Sequence, residues 1–86
     1  PDFCEQAISE ANRIYDEITY KRIPQYYRAC RHGEGDENHY NSVMQAMRNF
    51  EIAVKRVERL CDLPRYMAYL EKWDRLKRSM PLVCRH

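Results

Sequence analysis

Residues 38–64 read NHYNSVMQAMRNFEIAVKRVERLCDLP, and this stretch decides the fold. Tyr40, Val43, Met47, Phe50, Val54, Val57 and Cys61 recur at alternating steps of three and four. That spacing places them on one face of a helix as a heptad-like apolar seam. The opposite face carries Arg48, Glu51, Lys55, Arg56, Glu58 and Arg59, with Glu51 and Lys55 spaced for an i,i+4 ion pair. The expected helix starts near Asp36 or Asn38 and runs to about Cys61. Asp62-Leu63-Pro64 then reads as an N-cap followed by a first-turn proline, so a sharp corner opens the next helix.

Beyond that corner, Leu63, Tyr66, Met67, Leu70, Trp73, Leu76 and Met80 form a second helical stripe, which Pro81 ends. Before the seam, Cys4, Ala7, Ile8, Ala11, Ile14, Tyr15 and Ile18 form a third. Asp2 with Glu5 three residues on has the form of a capping box. Pro24 lacks an N–H and disfavours helical geometry at Ile23, so the first segment should break or kink after Arg22. A short second half, Gln25 to Arg31, follows. Gly33 is placed as a helix stop, and Gly33 to Asn38 is the clearest loop.

The expected architecture is therefore all-α. It is a small up-down-up bundle of three antiparallel helices, the first kinked at Pro24, because short connections force antiparallel neighbours. Residues 1–86 make one domain: a chain this short has no room for a second core. Its four cysteines, Cys4, Cys30, Cys61 and Cys84, are too far apart for a CxxC motif or a paired zinc knuckle. Their even number in a short chain favours structural disulfides formed in an oxidising compartment over four buried thiols. In the up-down-up topology only Cys4–Cys61 and Cys30–Cys84 join cysteines at the same end of the bundle; any other pairing must span its length. The sequence starts Pro1-Asp2-Phe3 without Met, as a mature secreted chain does once its leader is removed.

Catalysis leaves no trace. There is no GxSxG, P-loop, GxGxxG or HExxH. His32 and His39 flank Glu34, Asp36 and Glu37, but the spacing fits no zinc or calcium signature, and acidic residues there suit the dipole of the following helix. The expectation is a non-enzyme with no cofactor and no metal. Net charge is +2, too near neutral for a nucleic-acid binder. Residues 64–86 nevertheless hold six basic side chains against two acidic ones. Within them Lys72, Arg75 and Arg78 lie close to one helix face. They are candidates for an acidic receptor, a glycosaminoglycan or an anionic membrane, set against an ordinary solvated face.

Seven tyrosines and one tryptophan exceed what three inner stripes hold. Tyr15, Tyr40, Tyr66 and Trp73 fit the stripes. Tyr20, Tyr69 and one of Tyr26 and Tyr27 do not, and with Ile23 they make candidate contact residues, since rigidly held tyrosine is favoured binding material. The function expected is a secreted, non-enzymatic helical signal: a hormone, pheromone, cytokine-like ligand or venom component. It would bind an extracellular receptor through Tyr20, Ile23, Tyr26, Tyr27, Tyr69, Lys72, Arg75 and Arg78. A membrane-active cytolysin inserting the Leu70, Trp73 and Leu76 face, or a small apolar-ligand carrier, are the alternatives. A homodimer is compatible with each.

Overall fold

The computed structural model describes residues 2–33 and 37–80. Among them the order of elements is α1 (Phe3–Glu17), a π turn (Ile18–Arg22), α2 (Ile23–Arg31), α3 (Glu37–Leu60) and α4 (Leu63–Arg78). α1, the π turn and α2 follow without a break, because Ile18, Arg22 and Ile23 all keep right-handed helical dihedrals. Three rods result, as the hydrophobic periods require.

Pairwise contacts fix their directions. Between the first rod and α3, Cys4 meets Cys61, Tyr15 meets Phe50, Arg22 meets Ser42 and Tyr26 meets Tyr40. One number rises as the other falls, so these rods are antiparallel. Between the first rod and α4, Glu5 meets Arg65, Asn12 meets Tyr69 and Tyr15 meets Lys72. Both numbers rise, so these rods are parallel. Phe50 lies against Trp73, at 6.0 Å between ring centroids, and completes the triangle. The arrangement is up-down-up.

Three of the helix ends have a local cause. Asp2 Oδ1 accepts the Glu5 amide at 3.1 Å, and Asp62 Oδ1 accepts the Arg65 amide at 3.2 Å. Both are N-caps that satisfy otherwise orphaned first-turn donors. The Glu5 carboxylate does not reach back as a capping box would have it. It turns across the bundle to Arg65, at 3.3 Å. Gly33 has φ +71° and closes α2, the left-handed stop that glycine accommodates without a steric cost.

The break or kink expected at Pro24 takes the form of a π turn. The proline's irregularity is absorbed one turn earlier, where the Ile23 N–H bonds to the Ile18 carbonyl, an i→i−5 step. The wider turn lets the backbone carry a proline without ending the helix. The boundary still falls between Arg22 and Ile23.

Ala7, Ala11, Ile14 and Ile18 from the first rod pack with Val43, Met47, Phe50, Ala53, Val54 and Val57 from α3. Small alanines let these two rods approach closely. The Cys4–Cys61 disulfide forms with its Cα atoms 4.9 Å apart, at the end where α1 starts and α3 stops. No described cysteine is a free thiol. Cys84 lies outside the described residues, and with it the expected Cys30–Cys84 bridge.

α4 departs most from expectation. Of its apolar stripe, Leu76 is buried and Tyr66, Leu70, Trp73 and Met80 are half-buried, but Leu63 is 68% and Met67 51% exposed. Tyr69, assigned to the surface, is instead only 8% exposed. α4 is rotated so that Tyr69 and Leu76 face α1. A phenol can be buried there because its hydroxyl donates to Asn12 Oδ1 at 2.7 Å.

Candidate functional site

The candidate contact residues separate into two groups. Tyr20 is 76% exposed, and Tyr27 stands half out of the surface. Ile23 is half-buried, with one edge against the core. Arg75 and Arg78 are exposed. Tyr26, in contrast, is 1% exposed, stacked between Tyr27 and Tyr40 with centroids 5.9 Å away on each side. Tyr26 and Tyr69 are therefore core residues rather than contact residues. Lys72 is half-buried, its Nζ held 4.6 Å above the Tyr15 ring and 5.8 Å from that of Tyr69. Such a cation–π pair anchors the cation instead of offering it to a partner.

Arg75 and Arg78 border different grooves. Arg75 borders a cleft against the first rod, whereas Arg78 flanks the outer surface with Met67 and Asp74. Of the Leu70–Trp73–Leu76 face proposed for membrane insertion, Leu76 is buried and Trp73 packs against the core, while Leu70 is half-buried and borders the outer groove of α4. Among the described residues no helix is long and apolar enough to cross a membrane.

The cleft beside Arg75 brings three of the remaining candidates together: Ile23, Tyr27 and Arg75. It measures about 390 Å³ and is lined by Tyr15, Thr19, Ile23, Tyr27, Arg75, Leu76 and Ser79. One wall comes from the π turn and α2, the other from the last turns of α4. Tyr15, Ile23, Tyr27 and Leu76 make it largely apolar, while Thr19, Ser79 and Arg75 supply polar groups. Among the described residues Arg75 pairs with Glu71 at 3.5 Å, and the pair is mostly exposed on both sides. Contacts of that kind contribute little and leave the guanidinium available.

The π turn shapes this site from behind. Two buried side-chain polar atoms lack a hydrogen-bond partner among the described residues: Thr19 Oγ1 and Arg22 Nε. Both belong to the π turn. Arg22 is otherwise well tied, with Nη2 on Glu17 at 2.6 Å and Nη1 on Ser42 at 3.0 Å. The Arg22 hydrogen bond holds the Glu17 carboxyl below its ordinary value, with Coulombic help from Arg22, Lys21 and Arg13. A π turn inside a helix is uncommon and often marks a functional site.

The sequence located Ile23, Tyr27 and Arg75 but not Tyr15, Thr19, Leu76 and Ser79 as their neighbours. The pre-proline position of the turn was the one local signal. For the loop bearing His32 and His39, Glu34 and Asp36 lie outside the described residues. Among the described residues, no three His, Cys, Asp or Glu side chains are placed to hold a metal ion. Compared with protein-family models, curated proteins and solved structures, the chain gives no match.

Proposed function

We propose that the protein is a secreted, non-enzymatic helical ligand, of the hormone, pheromone, cytokine-like or venom type, that acts by binding an extracellular protein receptor. The observation that carries this reading is the clustering of Ile23, Tyr27 and Arg75 at the junction of the first rod with α4, with Tyr20 exposed on the adjoining π turn. Exposed tyrosine and arginine on a rigid support are the side chains that dominate binding energy at interfaces. The support is rigid because the Cys4–Cys61 bridge closes one end. We assign the second bridge to Cys30 and Cys84, which would close the other. A chain of this size gains proportionally from such tethers, and they persist outside the cell.

The test is binding of the fluorescently labelled, oxidised protein to intact cells of the source tissue. Saturable binding that unlabelled protein competes away is expected. Tyr27→Ala with Arg75→Ala should weaken it at least about tenfold, while Ile52→Ala, at an exposed site on α3 away from the cleft, should leave it unchanged. Equal binding by all three proteins, or leakage of anionic vesicles at the same concentrations, would sink the receptor reading.

A further inference from the structure

We infer that the cleft between the π turn and the C-terminal turns of α4 is a small-molecule site for an amphipathic carboxylate, an apolar chain or ring bearing one anionic head. This goes beyond receptor recognition and does not depend on it. At about 390 Å³ the cleft has the size of a side-chain or short acyl-chain pocket, within the range of about 300–1,000 Å³ common for ligand sites. Its walls dictate what enters. Tyr15, Ile23, Tyr27 and Leu76 offer apolar surface from both sides.

Among the described residues one formal charge lines the cleft: the guanidinium of Arg75. Its fork of N–H donors fits a carboxylate with two parallel hydrogen bonds. The Glu71 carboxylate that touches it at 3.5 Å is 70% exposed and displaceable. Lys72 adds positive potential, since its Nζ lies 4.6 Å from the centroid of the Tyr15 ring that forms one wall. Among the described residues no acidic side chain lines the cleft to oppose an anion. Thr19 Oγ1, buried and unpartnered at the edge of the same site, provides a hydroxyl that a polar ligand atom can satisfy after a rotamer change.

Three other grooves among the described residues differ from it: the one beside Ile52 has Arg13 and Arg56 next to Glu10, which already pairs with Arg13 at 2.6 Å. In the one beside Arg22 both cations are already paired, Arg22 with Glu17 at 2.6 Å and Arg13 with Glu10 at 2.6 Å. The groove along the outer face of α4 is lined by Glu71 and Asp74 as well as Arg78, which disfavours an anion.

The experiment uses the full oxidised chain with octanoate as the probe, followed by amide chemical shifts in an ¹⁵N–¹H titration at neutral pH. Saturable shifts are expected at Thr19, Ile23, Tyr27, Leu76 and Ser79, with a dissociation constant near or below about 1 mM, a modest affinity for so small a ligand. Arg75→Ala should weaken octanoate about tenfold or more, the range for losing a charge-assisted hydrogen bond. Arg75→Lys should retain part of the affinity, and octylamine should not bind. The inference is overturned if no shifts localise to the cleft at about 10 mM octanoate, an affinity too weak to count. It is equally overturned if octylamine binds as well as octanoate, if Arg75→Ala binds normally, or if the shifts map to Leu63 and Met67. Cell binding by a protein that ignores octanoate would leave the receptor reading standing alone; the reverse outcome would leave the cleft standing alone.

Discussion

Tyr69 is buried because its hydroxyl has a partner. The ring fills the groove between α4 and α1, and Asn12 accepts its proton at 2.7 Å. Burial raises the Tyr69 phenol above its ordinary value of 10.0, partly offset by Asn12 and reinforced by Glu5. Tyr66 is raised as well, first through its hydrogen bond to Glu58. A phenol raised in the folded state stabilises the fold fully below pH 10.0, and that contribution is lost as pH climbs through the raised values. We expect Tyr69→Phe to lower the unfolding free energy by about 1 kcal/mol in urea denaturation at neutral pH, because Asn12 loses its donor. The variant should also show a shallower loss of stability on the alkaline side. An unchanged alkaline limb would show that Tyr69 is not the group responsible. None of this was legible in the sequence: position 69 lies off the apolar stripe of α4, and Asn12 lies off that of the first rod.

At the scale of elements, the first rod is the informative one. Its buried stripe, Cys4 through Ile18, was legible residue by residue, as was the α3 seam, because both helices bury one face against several neighbours. The π turn was not. Proline alone announces a disturbance, but whether the helix ends, kinks or widens depends on what braces the turn. Here Arg22 spans from Glu17 to Ser42 on α3 and holds the turn in place. Glu17 and Glu10 are both lowered from an ordinary 4.5, first by hydrogen bonds from Arg22 and Arg13 respectively. Lowered carboxyls stabilise the fold fully above that ordinary value and cease to do so as pH falls through the lowered one. Thermal melts followed by circular dichroism from about pH 6 to about pH 2 should therefore show a falling midpoint below about pH 4.5. Glu17→Gln should start from a lower midpoint at pH 6 and fall less on acidification. A variant whose acid limb matches wild type would remove the Glu17–Arg22 pair from the account.

For the whole molecule, the Cys4–Cys61 bridge ties the start of the first rod to the end of α3 across 57 residues. Closing a loop of that length restricts the unfolded chain by about 4 kcal/mol on chain-entropy grounds, less any strain in the folded state. Cys4→Ser with Cys61→Ser should cost about that much, a large share of the few kcal/mol available to a core this small. Chemical denaturation with matched circular dichroism at zero denaturant checks it. A cost well under 1 kcal/mol would mean that the core carries the fold unaided.

The sequence by itself determined three rods, their antiparallel order, the corner at Asp62-Leu63-Pro64 and the pairing of Cys4 with Cys61. Each follows from period, punctuation and chain length, which are local or topological. Only the tertiary structure decided the rotation of α4, and so which tyrosines are buried and which apolar residues, Leu63 and Met67, are left outside. A helical stripe about 100° wide allows several rotations. The one adopted is selected by bonds between residues 57–61 positions apart: Tyr69 to Asn12, Arg65 to Glu5 and Arg65 to Cys4. The cleft at Arg75 has the same origin. Its two walls are about fifty residues apart in the chain, and no period on either one reveals the space between them.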